Sequence, residues 1–209
     1  LNQVGFHRSL DEAYQQALAQ HSEHVLIRID VDRMKPLNEL AGYEVGDRAL
    51  QWVAQAIETH IRRDDCIART HGDVFYCLLR HCPIDEGEII ANRMLREVRE
   101  CDFRIEEQRY PLSVSIGATT LNSGSESVKN AVSAAEVACE AAKEAGHDRL
   151  RVFTQGNVDL LRREQDFECI NEIQCALQED RFKLYAQRIF ALQSDEPYQH
   201  YELLIRIQD

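Results

Sequence analysis

Acidic residues that could hold a metal ion lie at the end of one predicted strand and in one predicted turn. Asp30 and Asp32 close the apolar run His24–Asp32, and Asp73 lies between two later apolar segments. If the two strands are neighbours, Asp30 and Asp73 converge at one edge of a sheet. Carboxylates and a backbone carbonyl suit a hard divalent cation such as Mg²⁺, which can hold a triphosphate. Solvated acids that bind nothing are the alternative, because turns favour such residues anyway.

Six short segments of the chain form an ordered set of motifs. They are 2–6 (NQVGF), 30–39 (DVDRMKPLNE), 42–47 (GYEVGD), 68–75 (ARTHGDVF), 114–117 (VSIG) and 141–146 (AAKEAG). In the same order they resemble N-R-x-x-F, D-x-D-x-F-K-x-x-N-D, G-H-x-x-G-D, A-R-x-G-G-D/E-E-F, V-S-I-G and A-K-x-x-G, the motifs of GGDEF domains, the diguanylate cyclase family. The resemblance implies an α+β fold with a cyclase-like central sheet flanked by helices.

The resemblance also implies a chemistry, in which two facing half-sites join two GTP molecules into cyclic di-GMP. A homodimer and two Mg²⁺ ions are therefore expected. The implied metal ligands are Asp30, the carbonyl of Val31 and Asp73, and Asp73 is also the remnant of the catalytic signature. The implied nucleotide contacts are Asn38 and Asp47 on guanine, Lys35 and Lys143 on phosphates, and Gly72 in the signature turn. An amide and a carboxylate match the guanine edge, and lysines act as point charges on phosphate.

Besides conservative changes and Gln3 in place of the first motif's arginine, four departures from the family's pattern bear on the site. His71 stands where the signature has its first glycine, and Val74 stands where it has glutamate. His147 replaces an arginine, and Tyr43 replaces a histidine. A side chain at position 71 crowds the phosphate turn, and valine removes a carboxylate, so we expect a slow or inactive cyclase with weak or absent Mg²⁺ binding. An active variant, in which the imidazole points away from the turn, is the alternative.

A second motif, R-x-x-D, lies where the family keeps an inhibitory product site. It consists of Arg62 and Asp65, and Arg93 on the following predicted helix is a candidate third member. A guanidinium can bind a guanine edge or a phosphate, and a carboxylate can accept from guanine N–H groups. A solvated charge cluster at a helix end is the alternative.

The end of the chain resembles the opening of EAL domains, the cyclic di-GMP phosphodiesterases. Residues 182–189 (FKLYAQRI) are similar to F-x-L-x-Y-Q-P-I, and residues 201–206 (YELLIR) are similar to the E-A/V-L-L-R signature. The resemblance implies that Glu202 is a metal ligand and catalytic remnant, and that Gln187 and Arg206 contact the ligand. Because the other ligands and the base of that family are absent, residues 1–209 are not expected to act as a phosphodiesterase by themselves.

These resemblances predict three regions and three possible functions. The regions are a GGDEF domain (1–153), a helical linker with the first EAL helix (154–178) and an EAL fragment (179–209). The first hypothesis is a nucleotide-sensing module that regulates an attached EAL phosphodiesterase or effector, with GTP or cyclic di-GMP as its ligand. The second is an active or weakly active diguanylate cyclase, and the third is a structural dimerisation module.

Local patterns predict the elements that position these residues. Expected helices cover 7–21, a short segment after Pro36, a segment capped by Asp47, and 85–101 and 125–145. Expected strands are 66–70 paired with 74–80, 103–107 paired with 112–121, an edge strand 150–153, and 182–192 and 198–207. A helix is expected across Asn157–Gln178, with a break near Asp166 and Phe167.

The composition limits the class of protein. In 209 residues, 44% are hydrophobic and 29% charged, which is typical of a globular chain. The net charge of −12 argues against binding to nucleic-acid polymers, but not against one small anionic ligand. No apolar run approaches the ~18 residues of a membrane span. The seven cysteines contain no C-x-x-C pair. We therefore expect a reduced, cytoplasmic domain, which an upstream segment could tether to a membrane.

Overall fold

The computed structural model describes residues 3–105, 108–153, 176–177, 179, 181–189 and 200–207. The chain divides into two compact units, Leu1–Val158 and Asp159–Asp209. Among the described residues, none of the helices combines the length and the apolar character needed to cross a membrane.

The described residues of the first unit form five helices and seven strands. In chain order they are α1 (Gln3–Gln20), β1 (His24–Val31), α2 (Met34–Ala41), α3 (Tyr43–Glu58), β2 (Cys66–His71), β3 (Val74–Leu79), α4 (Ile84–Glu100), β4 (Arg104–Ile105), β5 (Gln108–Arg109), β6 (Val114–Leu121), α5 (Val128–Glu144) and β7 (Leu150–Phe153).

Strand β1 lies at the centre of a five-stranded mixed sheet with the order β2-β3-β1-β6-β7. It pairs antiparallel with β3 and with β6, while β6 and β7 run parallel. The predicted edge strand 150–153 is confirmed as β7. This arrangement is the α+β sheet that the sequence predicts.

Side chains on opposite faces of β1 belong to two different cores, because successive strand residues point in opposite directions. Ile27 and Ile29 belong to the core that also contains residues of α3 and α4. Leu26 belongs to the core that contains residues of α1 and α5. Arg28 and Asp30 alternate with Ile27 and Ile29, so they lie on the second face, toward α5.

Gly42 separates α2 from α3, as predicted, with a φ of 86° that favours glycine. The prediction that Asp47 caps the next helix is wrong, because α3 begins at Tyr43 and Asp47 lies inside it. Pro36 is the third residue of α2 rather than the first. The cap at Gly42 leaves the Asp47 carboxylate available to a cavity described below.

The predicted pairing of 103–107 with 112–121 is also wrong. Strand β4 forms a separate two-stranded sheet with β5, whereas β6 pairs with β1 and β7. The backbone N–H of Tyr110 donates to the carbonyl of Phe103 and closes this short hairpin. The apolar pattern of β6 reflects burial between two strands of the main sheet, and a local pattern cannot identify which strands those are.

The described part of the second unit contains an antiparallel pair, β8 (Phe182–Ile189) and β9 (His200–Ile207). They agree with the predicted strands 182–192 and 198–207 where these are described, and residues 190–192 and 198–199 of that prediction lie outside the described residues. The predicted helix Asn157–Gln178 and its break lie outside the described residues, except for the helical Ala176 and Leu177.

Candidate functional site

The two acids that the sequence singles out lie next to each other on neighbouring strands. Asp30 on β1 is paired with Val74 on β3, and Asp73 directly precedes Val74. The backbone N–H of Val31 donates to the carbonyl of Asp73 at 3.1 Å. The register of β1 against β3 therefore brings Asp30, Val31 and Asp73 together, as the sequence predicts.

Two cations already contact the carboxylate of Asp30, which is buried. Lys143 Nζ on α5 lies 2.8 Å from Asp30 Oδ2, and an Nη of Arg28 lies 3.5 Å from the same oxygen. Burial raises the pKa of Asp30, the two cations oppose this shift, and the nearby charge of Asp73 adds to it. The predicted role of Lys143 as a phosphate contact therefore competes with its ion pair to Asp30.

The donor set at Asp30 does not fit the two Mg²⁺ ions that the resemblance implies. Among the described residues, no three His, Cys, Asp or Glu side chains come together in an arrangement that could hold a metal. Lys143 and Arg28 both contact the same carboxylate oxygen of Asp30, Oδ2. Asp73 and the carbonyl of Val31 remain beside it as the other oxygen donors.

A cavity of about 460 Å³ lies beside these acids, between α2, α3 and the β2–β3 turn. Five residues that the resemblance assigns to nucleotide or metal line it: Lys35, Asn38, Asp47, Gly72 and Asp73. Lys143 is absent from this lining and approaches Asp30 from α5. The arrangement suits a base at the α2–α3 end and an anionic group near the turn.

The amide of Asn38 packs directly against the backbone of Gly46. A Cβ on Gly46 would lie 1.9 Å from Asn38 Oδ1, so a side chain at this position would displace the amide. Oδ1 is buried and has no hydrogen-bond partner among the described residues. The amide therefore has unused hydrogen-bonding capacity at the wall of the cavity.

The side chain of Val74 is buried in the apolar core beneath α1 and α5, directly opposite Asp30. Because paired residues of neighbouring strands project to the same face, a glutamate here would lie beside the Asp30 carboxylate. His71 does not line the first cavity. It lines a separate cavity of about 200 Å³ with Phe6, Leu10 and other residues of α1 and α5.

Asp32, the acid that directly follows β1, has a structural role. Its carboxylate accepts hydrogen bonds from Ser113 Oγ and Ser115 Oγ, each at 2.7 Å, and from the N–H of Asp148 at 3.1 Å. Nδ1 of His147 lies 3.0 Å from Asp32 Oδ1. Asp32 therefore holds the segment after α5 against the sheet and so helps to position Lys143.

The R-x-x-D motif forms a tight turn in which Asp65 is already occupied. Its carboxylate accepts from the N–H of Arg62 at 2.7 Å and from the N–H of Arg80 at 2.9 Å. The guanidinium of Arg62 is exposed and lies 3.9 Å from Glu86. Arg62 and Asp65 line a shallow cavity of about 420 Å³, whereas Arg93 is exposed on α4 and is absent from that lining.

In the second unit, Gln187 on β8 lies directly opposite Glu202 on β9, and Arg206 lies opposite Lys183. The side chains of Gln187, Glu202 and Arg206 are exposed. Glu202 and Arg206 are four residues apart on one strand and share a face with Gln187.

Comparisons with known proteins agree with this geometry. The family model "Diguanylate cyclase, GGDEF domain" matches residues 1–149. The probable diguanylate cyclase DgcE of Escherichia coli is 31% identical over 152 residues, 73% of this chain and 14% of the relative. The cyclic di-GMP phosphodiesterase NbdA of Pseudomonas aeruginosa is 27% identical over 203 residues, 93% of this chain and 25% of the relative. The chain thus spans a quarter or less of these two relatives.

A solved structure supports the same assignment. The diguanylate cyclase SiaD of Pseudomonas aeruginosa, crystallised with its activator SiaC, aligns with a TM-score of 0.68 at 27% identity. The alignment covers 73% of this chain and 58% of that chain. With its mixed sheet, its paired acids and a family match over most of its length, the chain belongs to the GGDEF family of cyclic di-GMP signalling domains.

Proposed function

We propose that residues 1–153 are a nucleotide-binding regulatory domain with little or no cyclase activity. This proposal depends on the residues that surround the Asp30 carboxylate. Val74 lies opposite it, buried among apolar side chains, and Lys143 and Arg28 neutralise its charge. A site without an excess of carboxylates binds divalent ions weakly, and phosphoryl transfer in this family relies on such ions.

The ligand of this domain is a guanine nucleotide bound in the cavity between α2 and α3. Asn38 and Asp47 offer an amide and a carboxylate to the base, and Lys35 offers a cation to a phosphate. The Lys35 ammonium is exposed and only weakly engaged, 3.9 Å from Glu39. It can therefore turn toward an anion at small cost.

The domain regulates an attached EAL-type phosphodiesterase or effector. Support for this step comes from the resemblance of residues 182–189 and 201–206 to the EAL opening, and from the match to the phosphodiesterase NbdA over 93% of the chain. Gln187 and Glu202 lie on facing positions of β8 and β9, as ligand-contacting residues of one site would.

Turnover and binding assays on the purified chain test this proposal. With GTP and Mg²⁺ we expect no cyclic di-GMP by chromatography, while calorimetry detects bound GTP. Asn38→Ala should weaken GTP binding by roughly 2- to 10-fold, since it removes one or two neutral hydrogen bonds. Asn92→Ala, on the exposed face of α4, is the matched control and should bind GTP normally. Robust product formation, or GTP binding indifferent to Asn38→Ala, would reject the proposal.

A diguanylate cyclase that tolerates its altered signature is the second candidate. The observation that favours it is the adjacency of Asp30, Val31 and Asp73, which retains three oxygen donors. The double variant His71→Gly and Val74→Glu distinguishes the two. Under the regulatory proposal only the double variant forms product, because Val74→Glu places a carboxylate beside Asp30. Equal formation of cyclic di-GMP by the unaltered chain and by the double variant would favour the second candidate.

A further inference from the structure

Arg28 introduces a positive charge into the middle of the central strand. It lies on β1 with Tyr76 of β3 on one side and Gly117 of β6 on the other. Its side chain is 14% exposed and shares the face of Asp30, two residues along the strand. A guanidinium in the centre of a sheet needs a counter-charge, because burial of an unpaired charge is costly.

Asp30 provides that counter-charge. An Nη of Arg28 lies 3.5 Å from Asp30 Oδ2. Nε of Arg28 is buried and has no hydrogen-bond partner among the described residues, which leaves the ion pair with Asp30 as the contact shown for this guanidinium. Close packing of α5 covers this part of the sheet, since a Cβ on Gly117 would lie 2.2 Å from the carbonyl oxygen of Ala135. The guanidinium therefore has little space to swing away from Asp30.

Two cations already offset the charge of the paired acids before any ion arrives. Asp30 and Asp73 contribute two negative charges, and Lys143 and Arg28 contribute two positive charges. Glu140 adds a half-exposed carboxylate 3.6 Å from the Lys143 ammonium, on the solvent side. A divalent ion bound at Asp30 would lie within a few ångströms of both cations, which repel it. Lys143 reaches the site on a long side chain from α5 and can move, whereas Arg28 is held within the sheet.

We propose that Arg28 takes the place of a divalent metal ion at Asp30, so that the GGDEF domain binds guanine nucleotides without a metal. The nucleotide part of this inference rests on the proposed function, whereas the exclusion of the metal does not. Arg28 acts as a positioning residue that fixes the charge of Asp30 permanently. Nucleotide binding at this site then responds to the concentration of nucleotide and not to that of Mg²⁺.

Titration of Mn²⁺ alone, followed by electron paramagnetic resonance, tests the exclusion of the metal. The unaltered chain should bind Mn²⁺ only in the millimolar range. Arg28→Met should bind it at least about tenfold more tightly, since it removes one positive charge next to the ion. Arg28→Gln, which keeps hydrogen-bond donors, should do the same and serves as a second neutral variant. Arg151→Met, on the exposed edge strand β7, is the matched control and should leave Mn²⁺ binding unchanged.

Two results of this titration would overturn the inference. One is micromolar Mn²⁺ binding by the unaltered chain, which needs no variant to interpret. The other is that neither Arg28→Met nor Arg28→Gln binds Mn²⁺ more tightly than the unaltered chain.

Calorimetry of GTP binding, in Mg²⁺ and in EDTA, tests the consequence for nucleotide. The unaltered chain should bind GTP with the same affinity in both buffers. Arg28→Met should bind GTP at least about tenfold more tightly in Mg²⁺ than in EDTA. A large loss of affinity in EDTA for the unaltered chain contradicts the inference. If the unaltered chain binds no GTP in either buffer, the proposed function fails, and the Mn²⁺ titration still decides the role of Arg28.

Discussion

A single carboxylate, that of Asp65, holds together the loop that the sequence assigns to product binding. Because it accepts from the N–H groups of Arg62 and Arg80, it supports the turn rather than presenting free oxygens to a ligand. The exposed guanidinium of Arg62 is the part of the motif that a ligand can reach. The R-x-x-D motif therefore combines one structural residue with one residue available for binding.

Substitutions at these two residues should have different effects. Asp65→Ala should lower the free energy of unfolding by about 1–3 kcal/mol, because two backbone donors lose their charged acceptor. Arg62→Ala should leave stability unchanged and weaken any cyclic di-GMP binding by about 1.5–3 kcal/mol. Urea unfolding and calorimetry measure the two effects, with Asp64→Ala as the exposed control. Cyclic di-GMP binding that ignores Arg62→Ala would show that the motif is not a product site.

His24 is a buried residue whose protonation should affect stability. Its Nδ1 accepts from the N–H of His81 at 3.1 Å, and its Nε2 lies 3.1 Å from Ser22 Oγ. Burial, followed by the charges of His81 and Arg80, lowers the pKa of His24 from 6.5 to about 4. The folded protein therefore keeps this imidazole neutral at pH values where the unfolded chain binds a proton.

The stability contributed by neutral His24 is fully present above pH 6.5 and is lost as the pH falls toward 4. The loss in unfolding free energy is at most about 3 kcal/mol. His24→Asn keeps an acceptor for the N–H of His81 but cannot titrate, so its stability should decline less over the same range. Urea unfolding at several pH values measures both slopes. Parallel slopes for the two proteins would contradict this assignment.

At the scale of elements, the packing of α5 on β6 determines where Lys143 meets Asp30. Gly117 permits the close approach, since a Cβ there would lie 2.2 Å from the carbonyl oxygen of Ala135 and 2.3 Å from the N of Cys139. Asp32 then fixes the segment that follows α5 through the N–H of Asp148. The position of the Lys143 ammonium thus depends on one glycine and one buried carboxylate.

Gly117→Ala should lower the free energy of unfolding by about 1–3 kcal/mol, because backbone atoms of α5 must move away from β6. Urea unfolding measures this change. Arg151→Ala, at the paired position on β7, is the control and should leave the stability unchanged. If Gly117→Ala leaves the free energy of unfolding unchanged, α5 can move away from β6 without loss of stability.

At the scale of the whole molecule, the regulatory proposal depends on residues 154–173, which cross the boundary between the two units. Residues 154–173 contain no Pro and one Gly, a composition that favours a helix over a flexible tether. A stiff connection could transmit a change in the GGDEF domain to the following domain, whereas a plain spacer helix could not. The helix in this segment stays a prediction.

A Gly-Ser insertion near Gln165 in the full-length protein distinguishes these two roles. Under the regulatory proposal, GTP or cyclic di-GMP at the first domain should no longer alter the activity of the second. An insertion of helix-forming residues of the same length is the control for length alone. If the nucleotide response persists after the Gly-Ser insertion, the segment is only a spacer.

The family, the α+β class and most elements follow from the sequence, because they depend on local patterns. The apolar run of β1, the glycine after α2 and the ordered motifs each occupy a few consecutive residues. The cavity residues Lys35, Asn38 and Asp47 could be predicted in the same way, since they lie within two adjacent helices. The pairing of β4 with β5 could not be predicted from the sequence, because a short apolar segment does not identify its partner strand.

The charge at the site was decided only by the tertiary structure. Arg28 and Asp30 share a strand, but the sequence does not show that α5 brings Lys143 to the same oxygen or that Val74 lies opposite. Likewise, Asp32 and Asp65 resemble ligand-binding acids until their partners, Ser113, Ser115 and the N–H of Arg80, are known. The physical reason is that electrostatic and hydrogen-bond partners are set by distances between residues far apart in the chain. Those distances are fixed by strand register and helix packing and not by spacing along the sequence.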